Sequence, residues 1–195
     1  IGSRDIADTE AMLTAAKQHK KAIVIGGGLL GLEAANGLAI QGMDVSVVHL
    51  PTWLMERQLD PTAAGLLQKS LEAKGLKFLL AKNTKALHPG ADGRVAKIEF
   101  ADGEVHDAEL VVMAVGIRPN DKLAASAGLL CNRGVVVNDT MQTITAPKIY
   151  SVGECANHRG IAYGLVAPLF EQAKVCANHL AQFGIGRYEG SVTST

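Results

Sequence analysis

Gly26, Gly28 and Gly31, in the run Gly26-Gly27-Gly28-Leu29-Leu30-Gly31, are the residues of this chain best placed to do chemistry. The apolar run Ala22-Ile23-Val24-Ile25 precedes them, and a helical, alanine-rich stretch from Leu29 to Gln41 follows. In that setting G-x-G-x-x-G is a cradle for a dinucleotide pyrophosphate. Gly26 permits the tight turn, Gly28 lets the backbone approach the phosphates, and Gly31 lets the helix pack closely on the strand. The anion then sits at the positive helix N-terminus, beside Leu29 and Leu30. Glycines alone also collect in ordinary turns. The strand before, the helix after and the next strand at Met43–Val48 give the motif its specificity.

The elements that must position this loop follow from periodicity and punctuation. Asp8 to His19 reads as a helix capped by Asp8. A helix from about Pro61 to Lys74 is closed by Gly75 before a third strand, Leu76–Leu80, which completes a βαβαβ run. Residues 84–108 change character: Asp92-Gly93 and Asp102-Gly103 turns separate Val95–Phe100 from Glu104–Ala108, as in a small antiparallel meander. Glu109–Val115 returns as a buried strand. Further on, Val135–Val137 and Ile149–Val152 read as short strands, and Tyr163–Gln182 holds a long helix interrupted near its start by Pro168. The fold class is α/β: a Rossmann-like doubly wound parallel sheet with a small antiparallel meander, plus part of a second α/β domain.

Composition bounds the partners. Of 195 residues 48% are hydrophobic and 19% charged, and nineteen basic residues balance nineteen acidic ones, so the chain presents no net charge to nucleic acid or an anionic membrane. No apolar run approaches the ~18 residues of a membrane span, and Ile1 does not begin a leader sequence, which makes a cytoplasmic protein the expectation. Cys131, Cys155 and Cys176 are too scattered for a disulfide framework and include no C-x-x-C dithiol. Cys155-Ala-Asn-His158 recurs as Cys176-Ala-Asn-His179, but the second pair falls inside a helix where Cys176 reads as a small buried residue, so no metal site is assigned.

Three segments resemble the two-dinucleotide flavoprotein reductases, the pyridine-nucleotide-dependent group that includes rubredoxin and ferredoxin reductases. They are Gly26–Glu33; Ala114-Val-Gly-Ile-Arg-Pro-Asn120, similar to that family's A-T-G-x-x-P-N signature; and Ile149-Tyr-Ser-Val-Gly-Glu-Cys-Ala156, similar to its second flavin motif. Val48–Pro51, Leu54–Asp60, Cys131–Gly134, Glu154–Gly160 and Tyr188–Thr195 look like the assimilatory NAD(P)H nitrite reductase group. The resemblance implies NAD(P)H and, in the intact protein, FAD as cofactors, with hydride passing from one to the other and electrons onward to iron–sulfur and siroheme domains. It also implies a connecting helix over 1–19, an NAD(P)H-binding domain over 20–115 and the C-terminal part of an FAD domain over 116–195. A first glycine fingerprint for FAD would precede Ile1 and further domains would follow Thr195. The chain is therefore expected to be excised at both ends and to purify without flavin. The alternative readings are a non-catalytic nucleotide-sensing module and a rubredoxin or ferredoxin reductase of the same family.

The resemblance carries residue roles as well. Glu33 corresponds to a glutamate near the nicotinamide, its other reading being an acid in the first helical turn that complements the dipole. Gly116 would pass close to the bound nucleotide, and Glu154 stands where the family accepts a hydrogen bond from the FAD ribityl chain. Hydride transfer between two bound cofactors needs no protein nucleophile, so no catalytic side chain is assigned. The acid that usually binds the ribose 2′-hydroxyl about 20 residues after the glycines is replaced by His49. An exposed histidine there predicts binding of both NADH and NADPH, with NADPH gaining as the ring protonates toward pH ~6.

Overall fold

The computed structural model describes residues 1–192, so the last three residues of the Tyr188–Thr195 segment lie outside the described residues. The chain divides into two compact units, Ile1–Val115 and Gly116–Thr195.

The first unit opens with α1 (Ile6–Gln18), β1 (Lys21–Ile25), α2 (Leu29–Ile40), β2 (Asp44–His49), α3 (Pro61–Glu72) and β3 (Lys77–Leu80). A hairpin pair follows, β4 (Thr84–Pro89) and β5 (Val95–Phe100), then β6 (Val105–Asp107) and β7 (Leu110–Met113). The four parallel strands stand in the order β3-β2-β1-β7, and β4-β5-β6 form a separate antiparallel sheet. Two capping acids set the helix starts. The cap of α1 is Asp5 rather than Asp8: the Asp5 carboxylate accepts from Asp8 N–H at 2.8 Å, and Asp8 lies in the first turn. Asp60 caps α3 in the same way, accepting from Ala63 N–H at 2.8 Å, with Pro61 opening the helix where no N–H is required.

Both faces of the parallel sheet are covered, which is why its strands read as unbroken apolar runs. Ala22, Val24, Val45, Val47, Leu110 and Val112 join Met12, Ala15, Leu32, Ala35, Leu38 and Leu71 of the helices in one core. The alternate residues Ile23, Val48 and Val111 pack with Ile98 and Phe100 of the antiparallel sheet, and with Ala108 just after it, in a second. Each fully buried branched side chain contributes roughly 1.5–3 kcal/mol, so the strand frame under the glycine loop is firmly held. Register then delivers the site. Ile25 pairs with Val48, and Gly26 N–H donates to the Val48 carbonyl at 2.8 Å, which sets His49 beside the glycine turn at the C-terminal edge of the sheet.

The second unit contains α4 (Lys122–Ser126), β8 (Val135–Val137), β9 (Ala156–His158) and α5 (Val166–Leu180), with β8 and β9 parallel. Val137, Met141, Ala156, Tyr163, Cys176 and Tyr188 form its core. The expected strand at Ile149–Val152 reduces to a single bridge between Tyr150 and Gln142, and the strand that pairs with β8 is the more polar Ala156–His158. Pro168 does not interrupt α5. It occupies the third helical position, whose N–H would have no helical acceptor in any case. Among the described residues no helix is long and apolar enough to cross a membrane.

Candidate dinucleotide-binding site

The glycine loop is closed beneath and open above. Gly26 has φ +119, and a Cβ there would lie 2.3 Å from the Ala114 carbonyl oxygen; one at Gly31 would lie 1.9 Å from the Gly26 oxygen. At Gly28 a Cβ would meet nothing within 4 Å. Gly28 is the N-cap of α2 and brings no capping side chain. The first helical bond runs from Leu32 N–H to the Gly28 carbonyl at 3.0 Å, leaving the amides of Leu29, Leu30 and Gly31 without a helical acceptor. Leu29 and Leu30 are themselves about half exposed. Bare amides at the positive end of a twelve-residue helix, facing open space at Gly28, fit a pyrophosphate.

Gly27 is the pinned residue of the loop. Its N–H donates to His49 Nδ1 at 3.0 Å, and its carbonyl accepts from Met55 N–H at 3.0 Å. An accepting Nδ1 leaves the proton on Nε2, which faces Glu56 Oε2 at 2.9 Å. His49 is therefore not the exposed selector expected from the sequence. It is 7% exposed, lies on the same face as Val45 and Val47, and has no ring nitrogen left for a nucleotide. Its role toward the cradle is to hold the Gly27 amide. Met55 adopts φ 55, a conformation an unbranched side chain tolerates at roughly 1 kcal/mol, and this turn aims its N–H at Gly27. Glu33 lies one residue beyond the first turn of α2, which contains no acid, so the dipole reading fails. The side chain is exposed and makes no hydrogen bond or ion pair among the described residues.

A family model described as pyridine nucleotide-disulphide oxidoreductase matches residues 1–179. The chain belongs to that family. A nitrite reductase (NAD(P)H) of Bacillus subtilis strain 168 is 62% identical over 192 residues, covering 98% of this chain and 24% of that protein. The assimilatory nitrate reductase electron transfer subunit of the same organism is 53% identical, covering 99% of this chain and 25% of that protein. The crystal structure of a ferredoxin reductase from Rhodopseudomonas palustris superposes with a TM-score of 0.87 at 27% identity, covering 97% of this chain and 48% of that one. The chain thus spans about a quarter of the length of these curated relatives. The α/β FAD/NAD(P)-binding fold expected from the sequence is the fold of these oxidoreductases.

Within the family fold, the second unit holds the other two expected site residues. Gly116 begins it with φ 86, a left-handed turn that suits glycine. Glu154 is exposed and follows Gly153, which has φ 92 and donates its N–H to Oε1 of the fully buried Gln172 at 3.0 Å. The turn that presents Glu154 is thus fixed from below by a side chain that no motif announced. The two C-x-x-H pairs are engaged separately: His158 Nε2 bonds Asp139 and His179 Nδ1 bonds the Tyr150 hydroxyl.

Asp139 joins the end of β9 to the loop after it, bonding His158 at 2.8 Å and Arg159 through both oxygens, at 3.0 and 2.8 Å. The Arg159 guanidinium first, and His158 second, hold its carboxyl at about 2. A lowered carboxylate pKa adds stability that is fully present above the ordinary value, near pH ~4, and is lost as pH falls from there toward about 2. With the side chain 37% exposed, solvent screening cuts this to about 1 kcal/mol. Asp139→Asn should lower the urea midpoint of the second unit at pH 7 and flatten its decline toward pH 3; identical curves for the two proteins would show the pair to be energetically silent.

Proposed function

We propose that this chain is the nucleotide-binding portion of a flavin-dependent reductase in which NAD(P)H gives hydride to FAD and the electrons pass on to an iron–sulfur and siroheme acceptor that reduces nitrite. Residues 20–115 hold the dinucleotide, residues 1–19 connect, and residues 116–195 belong to the FAD side. The observation that carries the reading is the open cradle at Gly28, with the unpaired amides of Leu29, Leu30 and Gly31 above a loop that Gly26 and Gly31 seal against the sheet.

Bound NAD(P)H would supply the transferable hydride, and the chain's own residues would position it. The α2 amides bind the pyrophosphate as charge-assisted donors, which are the stronger kind. His49 and Met55 keep Gly27 from swinging into the phosphate position. Leu29 and Leu30 give the bound nucleotide apolar walls, and the unpartnered Glu33 carboxylate is available to orient a carboxamide. Glu154 would accept a ribityl hydroxyl of FAD. The nitrite acceptor is supported by the 62% identical relative, which is named for it. Calorimetric titration with NADH is the test. Saturable binding with one nucleotide per chain is expected, and a folded protein that binds neither NADH nor NADPH would overturn the reading.

A further inference from the structure

We propose that Glu56, steered by His49, is the acid that meets the adenosine ribose, so that the first unit selects NADH over NADPH through a carboxylate supplied by the loop after β2 rather than by the strand end. The inference rests on the dinucleotide reading of the site. Nucleotide folds of this type place an acid at the end of the second strand, beside the glycine loop, where its carboxylate accepts from the ribose 2′-hydroxyl. Here His49 stands at the strand end and is occupied otherwise: its Nδ1 accepts from Gly27 N–H at 3.0 Å, and its Nε2–H is spent on Glu56 at 2.9 Å.

That leaves the ribose to Glu56. Its side chain is 35% exposed, so it reaches solvent from beside the buried His49, whose side chain alone is 8% exposed. Only one of its oxygens is engaged, by His49; no cation pairs with it among the described residues. The Met55 N–H to Gly27 carbonyl bond, one residue before it, ties the loop to the cradle, and the His49 ring bridges the Gly27 amide to the carboxylate. The residues between, Leu50-Pro51-Thr52-Trp53-Leu54, offer no positive charge to a 2′-phosphate. Arg57 is the nearest basic side chain in sequence; it is exposed and forms no ion pair among the described residues, which makes it the rival. A carboxylate in the ribose position accepts from two hydroxyls and repels a phosphate, so it discriminates by attraction and repulsion together.

Dissociation constants of NADH and NADPH, measured by calorimetry on the full chain and on Glu56→Gln and Glu56→Lys, test this. The wild-type chain should prefer NADH by about tenfold or more, one well-placed charge interaction being worth about that factor. Glu56→Gln should reduce the ratio about tenfold, mainly by tightening NADPH, and Glu56→Lys should invert it. A purely structural role for Glu56 would weaken both nucleotides by the same factor and leave the ratio untouched; that result, or a wild-type preference for NADPH, overturns the inference while leaving the cradle intact. Binding of neither nucleotide to the wild-type chain would overturn the dinucleotide reading and this inference with it.

Discussion

Replacing Gly28 with aspartate should abolish dinucleotide binding while leaving the chain as stable as before, or slightly more stable. A Cβ at Gly28 meets nothing within 4 Å, and its φ of −86 and ψ of −177 are ordinary extended backbone that aspartate adopts without strain. Aspartate is also among the best N-cap residues, and in that conformation its carboxylate can accept from the amides of Leu30 and Gly31. Those amides are among the ones a pyrophosphate would use. The substitution therefore stabilises the empty helix end and occupies the anion site with a fixed negative charge. Loss of two charge-assisted bonds at about 1.5–3 kcal/mol each corresponds to at least a hundredfold in affinity, before repulsion is added. The check is NADH calorimetry alongside thermal unfolding of the same sample. Unchanged affinity in a folded Gly28→Asp protein would show that this loop is not the cradle.

Gly31→Ala should do the opposite, lowering stability by about 2–3 kcal/mol, or roughly 10 °C in the unfolding midpoint of the first unit. Two effects compete at this position. Alanine is the better helix former by about 1 kcal/mol, and Gly31 lies inside α2. Its Cβ, however, would lie 1.9 Å from the Gly26 oxygen and 2.9 Å from its carbon, and both are backbone atoms that no rotamer can clear. The helix must lift from the strand, separating Leu32 and Ala35 from Val24 and Val112 in the core beneath. The clash wins. Gly37, in the same helix, is the control, because a methyl group added there would meet nothing within 4 Å beyond its chain neighbours and the backbone of its own helix: Gly37→Ala should be neutral or stabilising. Equal midpoints for Gly31→Ala and wild type would contradict the close helix-to-strand contact.

The parts of this fold legible in the sequence are those that depend on neighbours along the chain. The run from Lys21 to Gly31 declares a strand, a turn and a helix start through residue type alone, and Pro61 and Gly75 bracket the next helix. What stayed hidden depends on contacts across the sheet or between loops. His49 follows Val45 and Val47 at the two-residue period that shares a face, but a strand buried on both sides shows no polar alternation to say which face is deep. Its partner Glu56 lies seven residues on, in a segment of irregular turns with no periodicity to place it. The choice between Ile149–Val152 and Ala156–His158 went to the polar segment because tertiary bonds satisfy its side chains: Asn157 donates to the Asn132 carbonyl and accepts from Gly160 N–H, and His158 reaches Asp139. Composition favours the β-branched run, but register with Val135–Val137 decides.

The most direct measurement is a titration of the isotope-labelled chain with NADH, followed through its backbone amide resonances. The α2 amides are the proposed ligands, so the resonances of Gly28, Leu29, Leu30 and Gly31 should shift most, saturating with the same dissociation constant that calorimetry gives, and Gly27 should move less because His49 already holds it. Saturable NADH binding that leaves those four resonances in place and shifts another surface would contradict the account.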